Sequence, residues 1–289
     1  MQKLTVLSPR YTFSHEAGLI AMRMLEPVYG KMGLRFVPEN ITVLRDVSYR
    51  KASGVVAYNN SKAGLVRQVI NDYWLQQNHG APLFVTGEIF LPVRLHLHAR
   101  RIIKSVQEID LLVSHKHAFP QVEKTLKELK LRIRHMEVTS TAEAARLVAH
   151  DDAFRKAAAI ASADAGHAYG LQTLCEDMQD DPNNKTFFHV LGSEAAPPTN
   201  DDKTALIFSL AKRRDAANTA HLVCDLVTTD ENDPPFVRLI SHGEAPMCAF
   251  YCEFGGHRDD ESGRRIFNNL RKEGTIVAHL GSFPRPKAA

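Results

Sequence analysis

The sequence predicts an α/β protein in which a mainly parallel-sheet domain is followed by a smaller βαββαβ unit. Three observations carry this expectation. Through the first part, short β-branched or leucine-rich runs alternate with amphipathic helical stretches, which implies crossover connections and parallel sheet. The stretch SEAAPPTNDDK at 193–203 then breaks the apolar pattern with prolines, an asparagine and aspartates, as a linker does. Beyond it, strand and helix periodicities follow in the order of a ferredoxin-like unit.

In chain order, the strands of the first part are KLTVLS (3–8), GVVAYN (54–59), EIFLPVRLHLH (88–98), IDLLVSH (109–115), RHMEV (134–138) and AAAIAS (157–162). Helices are expected from Ser14, Ala63, Ala118, Thr141 and Ala165. In the second part TALIFSLAK is a strand and AANTAHLVCDLV a helix, followed by the strands FVRLISHG and MCAFYCEFG. A helix through ESGRRIFNNLRKE and a last strand, TIVAHLGSF, complete the unit. Parallel sheets of this kind bind ligands at the C-terminal ends of their strands, where helix N-termini gather.

Composition narrows the function classes. At 289 residues, with 44% hydrophobic and 24% charged residues, the chain can bury a sizeable core. A net charge of +3 is too slight for a nucleic-acid footprint. The densest basic run, RLHLHARRIIK at 94–104, alternates as one face of a strand, so no nucleic-acid partner is expected. The opening MQKLTVLSP reads as a strand rather than a secretion signal, and no window approaches the roughly 18 apolar residues of a membrane helix. Four cysteines in a chain of this length do not make a disulfide framework. Cys248 and Cys252 share a strand face and read as buried thiols rather than zinc ligands, so a cytoplasmic protein is expected.

Three strand-to-helix junctions combine hydroxyl or amide side chains. In SPRYTFSHEA (8–17) Thr12 or Ser14 caps the helix that follows. In NNSKAG (59–64) Asn59, Asn60 and Ser61 come directly after a strand. In STAEAARLV (140–148) Ser140 and Glu143 fit a capping box, with Thr141 between them. Each junction offers unpaired backbone N–H groups and partial positive charge, a cradle for a carboxylate. Singly, each is an ordinary N-cap. Together, and with Thr186 in DPNNKTFFHVLG (181–192), they suggest a site for a small polyanion built without metal or cofactor. No Gly-rich phosphate loop, nucleophile elbow or His-Glu metal motif appears.

The same segments resemble the prephenate dehydratase family. SPRYTFSHEA resembles its Gly-Pro-x-Gly-Thr-Phe-Ser opening, and GVVAYNNSKAG its Gly-Val-Val-Pro-Ile-Glu-Asn-Ser-x-x-Gly segment. SHKHAFPQVEKTL, STAEAAR, AAIAS, AYGLQTL and DDPNN match further motifs, NKTFF stands where the family has Asn-x-Thr-Arg-Phe, and KTALIFSL opens what would be an ACT domain. The resemblance implies two α/β lobes of the periplasmic-binding-protein type (type 2), with a cleft between them. Lobe one is expected over about 1–80 and 175–195 and lobe two over 81–174, together a dehydratase domain at 1–195. An ACT-like domain at 203–289 implies a homodimer or homotetramer.

The implied chemistry converts prephenate, a dicarboxylate, to phenylpyruvate with loss of carbon dioxide and the ring hydroxyl. Thr186 is the implied catalytic residue, bonding to the departing hydroxyl, with Phe188 beside it and Ser114 and His115 matching the family's Ser-His pair. Several working positions depart from the pattern. Asn59 stands for a glutamate, Phe187 for an arginine, and Ser8 and Tyr11 for the two glycines of the opening motif. Losing an arginine clamp on a carboxylate costs about 2–5 kcal/mol unless something replaces it, and Arg10, Lys62 and Lys185 are the candidate replacements. His117 is a further polar candidate. In the ACT-like part, Asp215, Ala216, Ala217 and the stretch Ser241–Glu244 diverge from the segments that shape an amino-acid pocket, so weak phenylalanine control is expected. Two other readings fit these departures: a non-aromatising prephenate decarboxylase and a non-catalytic binder.

Overall fold

A computed structural model of the chain describes residues 2–79, 82–131, 133–210, 222–223, 225–228, 233–240, 249–273 and 276–286. The first of its three sheets is six-stranded, in the order β2-β1-β3-β11-β5 with β4 off the edge of β3. These are β1 (Lys3–Leu7), β2 (Gly33–Val37), β3 (Ser53–Asn60), β4 (Gly64–Leu65), β5 (Phe84–Pro92) and β11 (Lys185–Gly192). β1 runs parallel to β2 and β3, while β11 inserts antiparallel between β3 and β5. Helices α1 (Phe13–Tyr29), α2 (Asn40–Arg50) and α3 (Arg67–His79) complete this lobe.

The second sheet has the order β10-β6-β9-β7-β8. It comprises β6 (His96–Ala99), β7 (Leu111–His115), β8 (Arg134–Val138), β9 (Ala157–Ala161) and β10 (Gln172–Cys175), with α4 (Glu123–Glu128), α5 (Thr141–His150) and α6 (Ala163–Ala168). The alanines of β9 are all buried, and Ala142, Ala144 and Ala145 of α5 join Ala157 and Ala159 in one cluster. Small side chains on both partners let helix and sheet approach closely.

The third sheet is antiparallel, in the order β13-β14-β12-β15: β12 (Asp202–Ser209), β13 (Phe236–Ile240), β14 (Ala249–Gly255) and β15 (Ile276–Pro284). Helix α7 (Glu261–Lys272) starts on an Asp260 cap, which accepts from the Gly263 N–H. Helical residues at 222–223 and 225–227 pack with it, since Val223, Leu226 and Val227 share a core with Ile266, Phe267 and Leu270. Most of the helix expected at 216–227, Cys248, and both stretches tied to an amino-acid pocket lie outside the described residues.

The structure departs locally from the sequence expectations. EIFLPVRLHLH is two strands in different sheets, broken at 93–95 after Pro92, which lacks an N–H and ends β5. The helix expected from Ala63 starts at Arg67, because Gly64 and Leu65 pair with Asn60 and Asn59. The helix expected from Ala118 is a 3₁₀ turn at Phe119–Gln121 with α4 beyond it. Helix α2 carried no start signal, since its N-cap Glu39 makes no side-chain capping bond. Among the described residues, no helix is long and apolar enough to cross a membrane.

The third sheet meets the first over a buried polar cluster. Lys203 Nζ lies 3.1 Å from Glu88 and 2.6 Å from Glu253. Tyr58 donates to Glu88 and Tyr251 to Glu253. The His189 ring stacks on Tyr58, 3.6 Å between centroids, and bonds Tyr73 (3.0 Å) and Tyr251 (3.3 Å). Each polar atom is thus matched, as a buried ionic cluster requires. At Gly281 a Cβ would stand 2.1 Å from the Val85 carbonyl oxygen, so glycine alone allows this approach of β15 to β5.

Candidate active site

Strand β11 sets the site through its alternation. Phe188 and Val190 pack with α1 and β1 on one face, while Phe187 and Leu191 join Tyr58 and Tyr73 on the other. Thr186 shares the face of Phe188, and both border a cavity of about 610 Å³. The cavity is enclosed from the first lobe by Thr12, Ser14 and Asn60, and from the second by His115, Ser140 and Thr141. The crossing segments at 93 and 184 are tied together by the Val93 N–H donating to the Asn184 carbonyl at 2.8 Å.

Asn60 and Thr186 are register partners across β3 and β11. Asn60 Nδ2 donates to Thr186 Oγ1 and to the Lys185 carbonyl, both at 3.1 Å. Asn60 Oδ1 accepts from the N–H groups of Lys62 (3.0 Å) and Ala63 (2.9 Å). The amide is therefore fixed in one orientation, with its nitrogen toward Thr186. Because Thr186 Oγ1 accepts from Asn60, its own O–H is left to donate into the cavity.

Two helix starts converge here. The Thr12 hydroxyl caps α1, accepting from the His15 N–H (3.3 Å) and donating to the Pro9 carbonyl (3.0 Å). Ser140 caps α5, accepting from the Glu143 N–H at 3.0 Å. The reciprocal half of the capping box is absent, because Glu143 turns to Arg146 at 2.7 and 2.8 Å. His115 is kept below its ordinary pKa by burial and by the neighbouring His117 and Lys116, so its imidazole is neutral near pH 7. Among the described residues, no aspartate or glutamate lines the cavity.

Other expected residues are placed elsewhere. Ser114 is fully buried and donates to the Ile160 carbonyl at 2.7 Å, a bond inside the second sheet. Ser61 braces the start of β11, accepting from the Lys185 N–H (2.9 Å) and donating to Asn184 (3.2 Å). Asn59 is paired with Phe187 and, like it, stays off the cavity. None of the three candidate cations borders the cavity: Lys62 pairs with Asp181, Lys185 lies over the Phe90 ring at 4.8 Å, and Arg10 over the Phe36 ring at 5.2 Å. Ser8 does line it. Tyr11 keeps a left-handed φ of 66°, a conformation suited to glycine, and its ring packs edge-on against His15 and Tyr169.

Sequence reasoning missed Gln121 and Arg67, both of which line the cavity. Gln121 accepts from Asn184 Nδ2 at 2.7 Å and donates to the His117 carbonyl at 2.6 Å. It lies within SHKHAFPQ, so the motif match held a signal for it. Arg67 carries no motif signal; only the fold brings it to the cleft. Among the described residues no three His, Cys, Asp or Glu side chains converge as a metal site.

Residues 4–196 match the family described as prephenate dehydratase. The chain is 27% identical over 292 residues to a bifunctional chorismate mutase/prephenate dehydratase of Aquifex aeolicus, covering 98% of this chain and 74% of that protein. It spans 60% of two further bacterial relatives of the same name. In fold it is similar to a prephenate dehydratase from Arthrobacter aurescens solved with L-Phe, at a TM-score of 0.79 and 22% identity over 98% of this chain and 90% of that one. It is also similar to GqqA, described as a quorum quenching acylase, at a TM-score of 0.74 and 18% identity over 99% of both chains. With a family match across both lobes, and with the matching segments brought together around one cleft, this chain belongs to the prephenate dehydratase family.

Proposed function

We propose that the chain is a lyase that converts prephenate to phenylpyruvate. The bond between the ring and its carboxylate breaks, and its electron pair completes the aromatic ring. The ring C–O bond breaks in concert, so the products are phenylpyruvate, carbon dioxide and hydroxide. Aromatisation supplies the driving force, and the protein's task is to hold the dianion and assist the departing oxygen. The observation that carries this reading is the Thr186 hydroxyl, which accepts from Asn60 and faces the cavity with its own O–H unused. A donor aimed at developing oxyanion charge is worth about 3 kcal/mol in such a site. Threonine is a poor acid, so it acts by hydrogen bonding rather than as a proton reservoir.

The glutamate and arginine departures favoured a decarboxylase that spares the hydroxyl. Both positions lie off the cavity, so they leave the leaving-group machinery untouched. An acylase reading needs a paired nucleophile, and among the described residues no serine lining the cavity is hydrogen-bonded to a histidine. Incubation with prephenate tests the proposal. Phenylpyruvate, followed by its absorbance in alkali, is the expected product; consumption of prephenate with carbon dioxide but no aromatic ketoacid would overturn it.

Residues 1–195 are taken as the dehydratase domain and 203–289 as an ACT-like domain. The antiparallel order β13-β14-β12-β15 with α7 on one face supports the latter. A homodimer or homotetramer through this domain, working in the cytoplasm, is the assembly we propose; the free Cys175 and Cys252 suit a reducing compartment.

A further inference from the structure

We propose that Arg67 holds the carboxylate that the substrate keeps, the one on its pyruvyl arm. This rests on the dehydratase reading of the cavity. Among the described residues, Arg67 is the only lysine or arginine that lines it, and no carboxylate does. Arg67 has no hydrogen-bond or ion-pair partner among the described residues, whereas Lys62, Lys185 and Arg10 are engaged outside. It is exposed at the rim, at the first turn of α3, where a planar guanidinium can meet an entering carboxylate in two parallel bonds.

The chemistry selects which carboxylate. The ring carboxylate leaves as neutral carbon dioxide, so a cation fixed on it would stabilise the ground state more than the transition state and slow the reaction. The pyruvyl carboxylate carries the same charge in substrate, transition state and product. Arg67 on that group contributes uniform binding, which sets KM and leaves kcat alone. The departing carboxylate, across the ring from the hydroxyl at Thr186, then lies in an uncharged part of the cavity toward the capped helix starts at Thr12 and Ser140.

A smaller cavity of about 210 Å³ lies beyond β4 and shares Ala63, Gly64, Leu65 and Arg67 with the first. Its other cation, Arg238, lies over the Phe236 ring at 4.4 Å and donates to the Val237 carbonyl at 2.9 Å. Arg238 is therefore the control for an effect exerted through that neighbouring space.

The test is steady-state kinetics with prephenate on the full chain, with phenylpyruvate as product inhibitor. For R67Q we expect KM and the phenylpyruvate inhibition constant to rise together by roughly tenfold or more, with kcat within about twofold. R67K should recover part of the loss, and R238Q should match wild type. An unchanged KM in R67Q, a fall in kcat without a rise in KM, or an equal rise in R238Q overturns the assignment. Should wild type leave prephenate unconsumed, the dehydratase reading falls, and calorimetric titration with phenylpyruvate still decides Arg67. Roughly tenfold weaker binding by R67Q then supports it; equal binding, or none by wild type, overturns it.

Discussion

Asn59 on β3 and Phe187 on β11 stand opposite each other in the register, next to Asn60 and Thr186, and neither borders the cavity. The Phe187 ring instead lies 6.4 Å from Tyr58 and 6.3 Å from Phe90, on the face toward the third sheet. The two most conspicuous departures from the family pattern are therefore neighbours on the far side of the sheet. A cross-strand pair of opposite charges can be exchanged for an amide and a phenyl ring there without altering the reacting face.

Phe187→Ala should leave kcat and KM for prephenate within about twofold while lowering stability by about 1–3 kcal/mol through lost packing. Kinetics and thermal melting on the same preparation check this. A tenfold fall in kcat at full folding would return position 187 to the site.

Thr186→Ala should lower kcat at least roughly tenfold with an unchanged melting temperature, and Thr186→Ser should retain most of the rate, since the hydroxyl alone is needed. Asn60→Ala is expected to lower both kcat and stability. It removes the bond that orients Thr186 and leaves the Lys62 and Ala63 N–H groups without their acceptor. A fully active Thr186→Ala enzyme would remove this residue from the mechanism.

These contrasts show what was legible in the sequence. Thr12, Ser140 and Thr186 could be found because capping residues and the NKTFF string act locally, and local signals survive in one dimension. The face of Phe187 needed the strand itself, since alternation over Lys185–Gly192 turns it away from the side that Thr186 and Phe188 share. Ser114 looked like a ligand because it adjoins His115, yet neighbours on a strand point to opposite faces. Arg67 was invisible for a different reason: its role depends on β4 folding back onto β3 and delaying α3.

Lys203→Met should destabilise the chain by about 3–5 kcal/mol, because Glu88 and Glu253 would remain buried without their cation. Burial alone would raise the Glu253 pKa, but the nearby His189 ring, 3.8 Å away, and the charge of Lys203 prevail and hold it at about 2. Its contribution to wild-type stability is therefore present above the ordinary carboxylate range and is lost as pH falls toward 2. In the variant, desolvation dominates and protonation favours the folded state. Melting curves between pH 5 and 3 should accordingly slope less steeply, or in the opposite direction, for Lys203→Met; parallel curves would show that Lys203 does not hold Glu253 charged.

His98 provides the clearest pH dependence at milder acidity. Its ring is buried, with Nε2–H donating to the Ser162 carbonyl at 3.1 Å and Nδ1 accepting from Thr173 at 3.2 Å. A Cβ at Gly166 would stand 2.3 Å from the ring, so the imidazole fills its site completely. Burial, reinforced by His96, pushes its pKa down to about 4. Between about pH 6.5 and 4 the unfolded chain takes up a proton that the folded chain refuses, so stability declines as pH falls through this window, by roughly 3 kcal/mol from this residue. His279, pushed to about 3 by burial and Arg258, acts in the same direction. His98→Asn should therefore be less stable than wild type at pH 7 yet lose less of its stability on acidification to pH 4, with His279 sustaining the remaining slope. Denaturant melts at pH 7, 5.5 and 4 measure both quantities, and an unaltered slope in the variant would place the proton uptake elsewhere.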